Sequence, residues 1–134
     1  MRKVSWSCNA VKVPGIRPAD YNKETAFQIY CMTWLRKEFI RTGKAIFSHW
    51  HHSPNEGQRT ARIGLEMKLM GTSKGFPDLI HSRAKLAVEL KLPGETPTPE
   101  QTFWLNHFND IGWTARCITS FEQFKYLIEG HHED

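Results

Sequence analysis

The sequence predicts a mixed α/β sandwich, a small sheet flanked by helices in the order αβαββαβα. Three observations predict it. Apolar residues recur at helical spacing in several segments, shorter stretches between them alternate apolar with polar, and glycine, proline and small polar residues punctuate the boundaries. With 134 residues, 40% of them hydrophobic and 24% charged, the chain fits one folded domain.

Each element has its own justification. Residues 1–20, with Pro14-Gly15 and Pro18, read as an irregular arm, and residues 21–134 as the folded domain. A helix is predicted over Lys23–Thr42, because Phe27, Tyr30, Cys31, Trp34 and Leu35 form one apolar stripe and Gly43 follows as a stop. Lys44–His51 alternates and is rich in aromatics, as a strand would be. After turn residues at Ser53–Gly57, Gln58–Met70 reads as a second helix closed by Gly71. The loop Gly71–Gly75 leads to strands at Asp78–His81 and Leu86–Leu92, joined as a hairpin by Ser82–Lys85. Thr98-Pro99-Glu100-Gln101 starts a helix, with Thr98 as N-cap, proline at the first helical position and Gln101 placed for a capping box. That helix runs to Ile111. Thr114–Ile118 is a strand, and Ser120 opens a last helix with Phe121, Phe124, Leu127 and Ile128 inward.

The net charge of +4 is distributed unevenly. Residues 1–85 carry fifteen Lys/Arg against six Asp/Glu, a surplus of +9, while residues 86–134 carry three against eight, a deficit of −5. Such asymmetry suggests a basic surface facing a polyanion. Cys8, Cys31 and Cys117 are widely spaced and odd in number, which excludes a disulfide framework and points to reduced thiols. No apolar run is long enough to span a bilayer and the N-terminus lacks a signal-peptide core, so the expectation is a cytoplasmic protein.

The chemistry is carried by Leu86–Leu92. Side chains alternate along a strand, so Val88, Leu90 and Leu92 share one face while Ala87, Glu89 and Lys91 share the other. A carboxylate and an ammonium then project together, about 7 Å apart along the strand. Antiparallel pairing of the hairpin can bring Asp78, directly after Pro77, to the same end of the sheet. Two carboxylates and one lysine at a sheet edge suit phosphodiester hydrolysis. Asp78 and Glu89 would hold a hard divalent cation, which polarises the phosphate and acidifies a water, while Lys91 orients or deprotonates that nucleophile. On pattern alone, Glu-x-Lys on a strand is usually a solvated face with a weak ion pair, and Asp after Pro is usually a turn residue.

The full set of motifs narrows this. Gly75-Phe-Pro-Asp78, a hairpin, Val88-Glu-Leu-Lys91 and Pro99-Glu-Gln101 at a helix start resemble the virus-type replication-repair nuclease (VRR-NUC) family. Glu24 and Gln28 on the first helix, His52-Ser-Pro-Asn55-Glu56-Gly57 after the first strand, and Gly71 extend the resemblance over Glu24–Leu127. It implies a PD-(D/E)XK (restriction-endonuclease-like) fold that binds Mg2+ or Mn2+ and cuts DNA, with Asp78, Glu89 and Lys91 as the catalytic core. It further implies Gln101 as a helper near the lysine and Glu24 as an additional acidic residue near the metal. Their alternatives are the capping box for Gln101 and a macrodipole-favoured helix start for Glu24. Asn55, Glu56 and Arg59 would shape the site or touch phosphate, with a surface turn as the other reading of the first two, and Arg59, Arg62, Lys68 and Lys74 could grip the DNA backbone. Compact members of the family pair up and resolve junctions in phage-like settings. The resemblance therefore implies a homodimer acting on branched DNA, four-way (Holliday) junctions first, in a bacterial or phage-infected cell, and Trp6 and Phe39 are candidate contact residues.

Three rival readings remain open at this level. His49, His51 and His52, with His81 as a fourth ligand, could bind zinc. The chain could also bind DNA without cutting it, or cut flaps and ends rather than junctions.

Overall fold

The computed structural model of the chain describes residues 23–53 and 61–131, so the arm expected over residues 1–20 lies outside the described residues. Within them the elements are α1 (Lys23–Thr42), a 3-10 turn (Ala45–Phe47), β1 (His51–His52), α2 (Ala61–Leu69), β2 (Leu79–His81), β3 (Leu86–Leu90), α3 (Pro99–Asp110), β4 (Thr114–Ile118) and α4 (Phe121–Glu129). Helices and strands alternate in the predicted αβαββαβα order. The sheet order is β1-β2-β3-β4. β1, β2 and β3 pair antiparallel, whereas β3 and β4 run parallel, with α3 as the crossover that a parallel pair requires.

The sheet is covered on both faces. Leu79, Leu86, Val88, Leu90 and Ile118 pack on one side against Phe27, Cys31 and Leu35 of α1 and Phe121, Phe124 and Ile128 of α4. Phe27, Leu35 and Phe124 are essentially inaccessible, and each contributes about 1.5–3 kcal/mol by leaving water. Tyr30 and Trp34 complete the predicted stripe on α1, meeting Phe121 edge-on at centroid distances of 4.9 and 5.4 Å. On the other side Ala87 and Ala115 pack against Leu105 and Phe108 of α3, with Phe76, Ile80, Trp104 and Cys117 around them. The small alanines let α3 approach the sheet closely, beside the position of Glu89.

The segment Lys44–His51 departs from the expected strand. Ala45–Phe47 forms a 3-10 turn, His49 adopts a left-handed backbone (φ 66°), and pairing begins only at His51. Its apolar residues answer to the helices instead of alternating across a sheet. Ile46 is buried, Phe47 meets Trp34 edge-on, and the Trp50 indole donates to the Ile46 carbonyl at 2.8 Å. The two strands of the hairpin are also shorter than expected, because Asp78 precedes the β2 ladder and Lys91 follows β3.

α2 buries none of its residues, and Leu65, Leu69 and the following Met70 stand outward. Among the described residues no helix is long and apolar enough to cross a membrane.

Candidate active site

Three ionisable groups sink into the sheet where β2 begins and β3 ends. Asp78 is 1% exposed, Glu89 0% and Lys91 9%. The β2–β3 register pairs Leu79 with Val88 and Ile80 with Ala87, so continuing it one step sets Asp78 opposite Glu89 on the α3 side of the sheet. The Asp78 carboxylate accepts a hydrogen bond from the Leu90 amide (Oδ2, 2.7 Å), which ties it to the strand carrying Glu89. Beyond the end of β3, the Lys91 amide still donates to the Ile118 carbonyl at 2.9 Å. The pleat therefore persists through Lys91, whose Nζ lies 3.8 Å from Glu89 Oε1. That separation is an ion pair rather than a hydrogen bond. The three residues that the sequence grouped are thus brought together.

Burying such a cluster is poor economy for stability, since desolvation of each ion offsets the mutual attraction. Buried charges gathered at one end of a sheet are better accounted for by a site. With both carboxylates ionised the trio carries a formal charge of −1, and its donors are hard oxygens. This set fits a hard divalent cation. Among the described residues no group of three or more His, Cys, Asp or Glu side chains is placed to hold a metal. Asp78 and Glu89 would supply two carboxylate ligands to such a cation, of the hard oxygen type that magnesium and manganese favour.

One neighbour of the site escaped the sequence reading. Cys117 on β4 pairs in register with Glu89, and in-register partners of parallel strands share a face. Burial pushes its thiol upward. The Glu89 and Asp78 carboxylates act the same way and the Lys91 ammonium opposes them. Alternation along Thr114–Ile118 puts Cys117 on the Ala115 side, but which strand lies beside it depends on the crossover, and no local pattern encodes that.

The other expected residues stand on other elements. Gln101 sits in the complete capping box: its Oε1 accepts from the Thr98 amide at 2.8 Å, and its own amide donates to Thr98 Oγ1 at 3.2 Å. Its side-chain oxygen is thus engaged at the start of α3. Glu24 lies in the first turn of α1. Arg62 and Lys74 are exposed in surface ion pairs, with Glu66 at 3.4 Å and Glu100 at 3.7 Å. Lys68 and Lys74 line a surface concavity of about 530 Å3 beside Gly71–Ser73. Trp6, Asn55, Glu56 and Arg59 lie outside the described residues.

The histidines do not assemble as the zinc reading required. His81 is fully buried with both ring nitrogens engaged: Nδ1 accepts from the Ala84 amide at 3.0 Å, so Nε2 carries the proton and donates to the Ala45 carbonyl at 3.0 Å. No lone pair remains for a metal. His49 lies outside β1, so it does not share a strand face with His51. His52 instead turns its Nδ1 to the Asp78 carbonyl, at 2.8 Å.

No family model and no curated protein matches this chain. Among solved structures, a VRR_NUC domain protein superposes with a TM-score of 0.68 at 24% sequence identity, over 84% of this chain and 89% of that one. The chain therefore has the fold of a VRR-NUC domain, a restriction-endonuclease-like α/β core.

Proposed function

We propose, with the VRR-NUC fold as premise, that this protein is a metal-dependent, structure-specific DNA endonuclease whose centre is Asp78, Glu89 and Lys91. The observation that carries this reading is the burial of two carboxylates and a lysine at one end of the sheet, with Glu89 and Lys91 3.8 Å apart. Asp78 and Glu89 would hold Mg2+ or Mn2+, which would polarise the phosphate and acidify a water. The Lys91 ammonium, oriented by Glu89, donates to the attacking water and offsets the negative charge that builds on the phosphate. The water oxygen bonds to phosphorus as the bond to the leaving sugar oxygen breaks, the water's proton passing to solvent and the sugar oxygen taking up a proton from solvent.

The substrate is branched DNA, four-way junctions above all, and the working form is a twofold homodimer. A domain of this size has little surface for measuring a large substrate alone, and two copies present two sites to a substrate of like symmetry. Apolar surface for such a contact is at hand. Phe39 is 42% exposed beside Ile40, and Leu65, Leu69 and Met70 stand outward around α2.

Purified protein should cut labelled branched DNA only with a divalent metal, and Asp78→Asn, Glu89→Gln and Lys91→Ala should each slow single-turnover cleavage by at least about a hundredfold. Wild-type rates from Lys91→Ala, or binding without cleavage across duplexes, flaps, splayed arms and junctions in both metals, would sink the enzymatic reading. A monomeric mass by light scattering, with cutting confined to flaps or ends, would sink the dimeric junction reading alone.

A further inference from the structure

His52 was singled out by the zinc reading, and the catalytic trio leaves it unused. It ends β1, the short edge strand of the sheet, where the ladder pairs His51 with Ile80 and His52 with Leu79. Asp78 is the next residue outward on the neighbouring strand, just beyond the last of these pairs. At that point the imidazole takes over from the backbone. Its Nδ1 lies 2.8 Å from the Asp78 carbonyl oxygen, and a carbonyl only accepts, so Nδ1 carries the hydrogen.

Asp78 is thereby fixed twice. Its side chain accepts from the Leu90 amide of β3, and its main chain accepts from His52 across the other edge. One bond sets the direction of the carboxylate and the other sets the peptide that carries it. The preceding residues are less constrained by pairing, because Gly75–Pro77 form a loop. Without the His52 bond, this tie between β1 and the Asp78 main chain is lost, and the carboxylate can shift relative to Glu89.

We propose that His52 is a positioning residue for the metal-binding carboxylate of Asp78, acting through Nδ1 and the Asp78 carbonyl. It touches neither the cation nor the reacting atoms. The proposal rests on the nuclease reading above. It differs from a merely stabilising role in one respect: metal affinity should follow the hydrogen bond, and fold stability need not.

The two amide side chains separate the two ring nitrogens. Asparagine can place a donor near the position of Nδ1, while glutamine reaches toward that of Nε2. Wild type and His52→Ala, His52→Asn and His52→Gln are titrated with Mn2+ by calorimetry, with metal-free thermal midpoints and cleavage rates measured alongside. Loss of an outer-shell partner typically costs 10–100-fold in metal affinity, so Ala and Gln should weaken Mn2+ by at least about tenfold while Asn stays within roughly threefold of wild type. Comparable thermal midpoints across the set should accompany that pattern. Unchanged Mn2+ affinity in Ala and Gln, with the wild type binding and cutting, overturns the positioning role and leaves the nuclease reading standing. Rescue by Gln but not Asn also overturns it, because the working nitrogen would then be Nε2. Should Ala fail to fold, the Asn–Gln comparison decides, and equal affinities for that pair count against the proposal. A wild type that neither binds Mn2+ nor cuts any branched DNA removes the nuclease reading, and this proposal with it.

Discussion

Cys31 lies midway along α1 with no accessible surface, and burial pushes its thiol far above the ordinary cysteine range. In the unfolded chain a cysteine ionises near pH 8.5. Above that pH the unfolded state has released a proton that the folded state still holds. The stabilisation is thus fully present below the unfolded value and is lost as pH rises toward the folded one. The slope is at most about 1.4 kcal/mol per pH unit for this one group. Urea unfolding at pH 8, 9 and 10 should show the stability gap between wild type and Cys31→Ala narrowing as pH rises. A constant gap would mean that the thiol ionises equally in both states. At this scale the sequence was informative wherever chemistry follows alternation or helical spacing. Glu89 and Lys91 fall on one face because strand side chains alternate, and Cys31 belongs to the core because it shares a stripe with Phe27 and Leu35. Cys117 and the His52 bond were not legible, since each depends on which strand lies beside which.

At the level of elements, the junction between the glycine loop and α3 carries the tightest constraint on the site. Gly75 has φ 83°, and a Cβ there would lie 2.6 Å from the Glu100 carbonyl carbon and 2.7 Å from the Gln101 nitrogen. Both are backbone atoms of the capped first turn of α3, so neither can swing aside. Phe76 then packs against Trp104 and Phe108, and Asp78 follows two residues later. Gly75→Ala should cost about 2–4 kcal/mol, from left-handed strain together with overpacking. Gly43 supplies the control. It is also left-handed (φ 68°), but nothing lies within 4 Å of its Cβ position, so Gly43→Ala should cost about 1–2 kcal/mol from strain alone. Equal losses at the two positions in urea titrations would show that the close approach to α3 is not what requires glycine. The capping box of α3 was readable because Thr98, Pro99 and Gln101 are local signals. Lys44–His51 was misassigned for the opposite reason. Its aromatics pack on α1 and α4, a tertiary demand that imitates strand alternation.

For the whole molecule, the separation of charge along the chain implies how DNA would be held. The basic surplus lies in residues 1–85, while Glu89 and most of the other acidic residues follow it. A domain that neutralises phosphates releases their counterions, so log K falls with log salt by about 0.9 for each duplex phosphate contacted. Arg62 and Lys74 are suited to this, being exposed and held, among the described residues, by surface ion pairs with Glu66 and Glu100. Such pairs are worth about 0–1 kcal/mol, so exchanging them for phosphate costs little. Replacing both residues by alanine should weaken binding similarly on unrelated sequences and flatten the salt slope by up to about 1.8, the loss of two contacts. Single-turnover cleavage at saturating protein should be retained, because neither residue lies in the buried trio. An unchanged slope in the double variant would exclude α2 and the glycine loop from the DNA-binding face. A collapse of cleavage at saturation would instead assign one of the two cations to the reacting phosphate, a role that their exposure argues against.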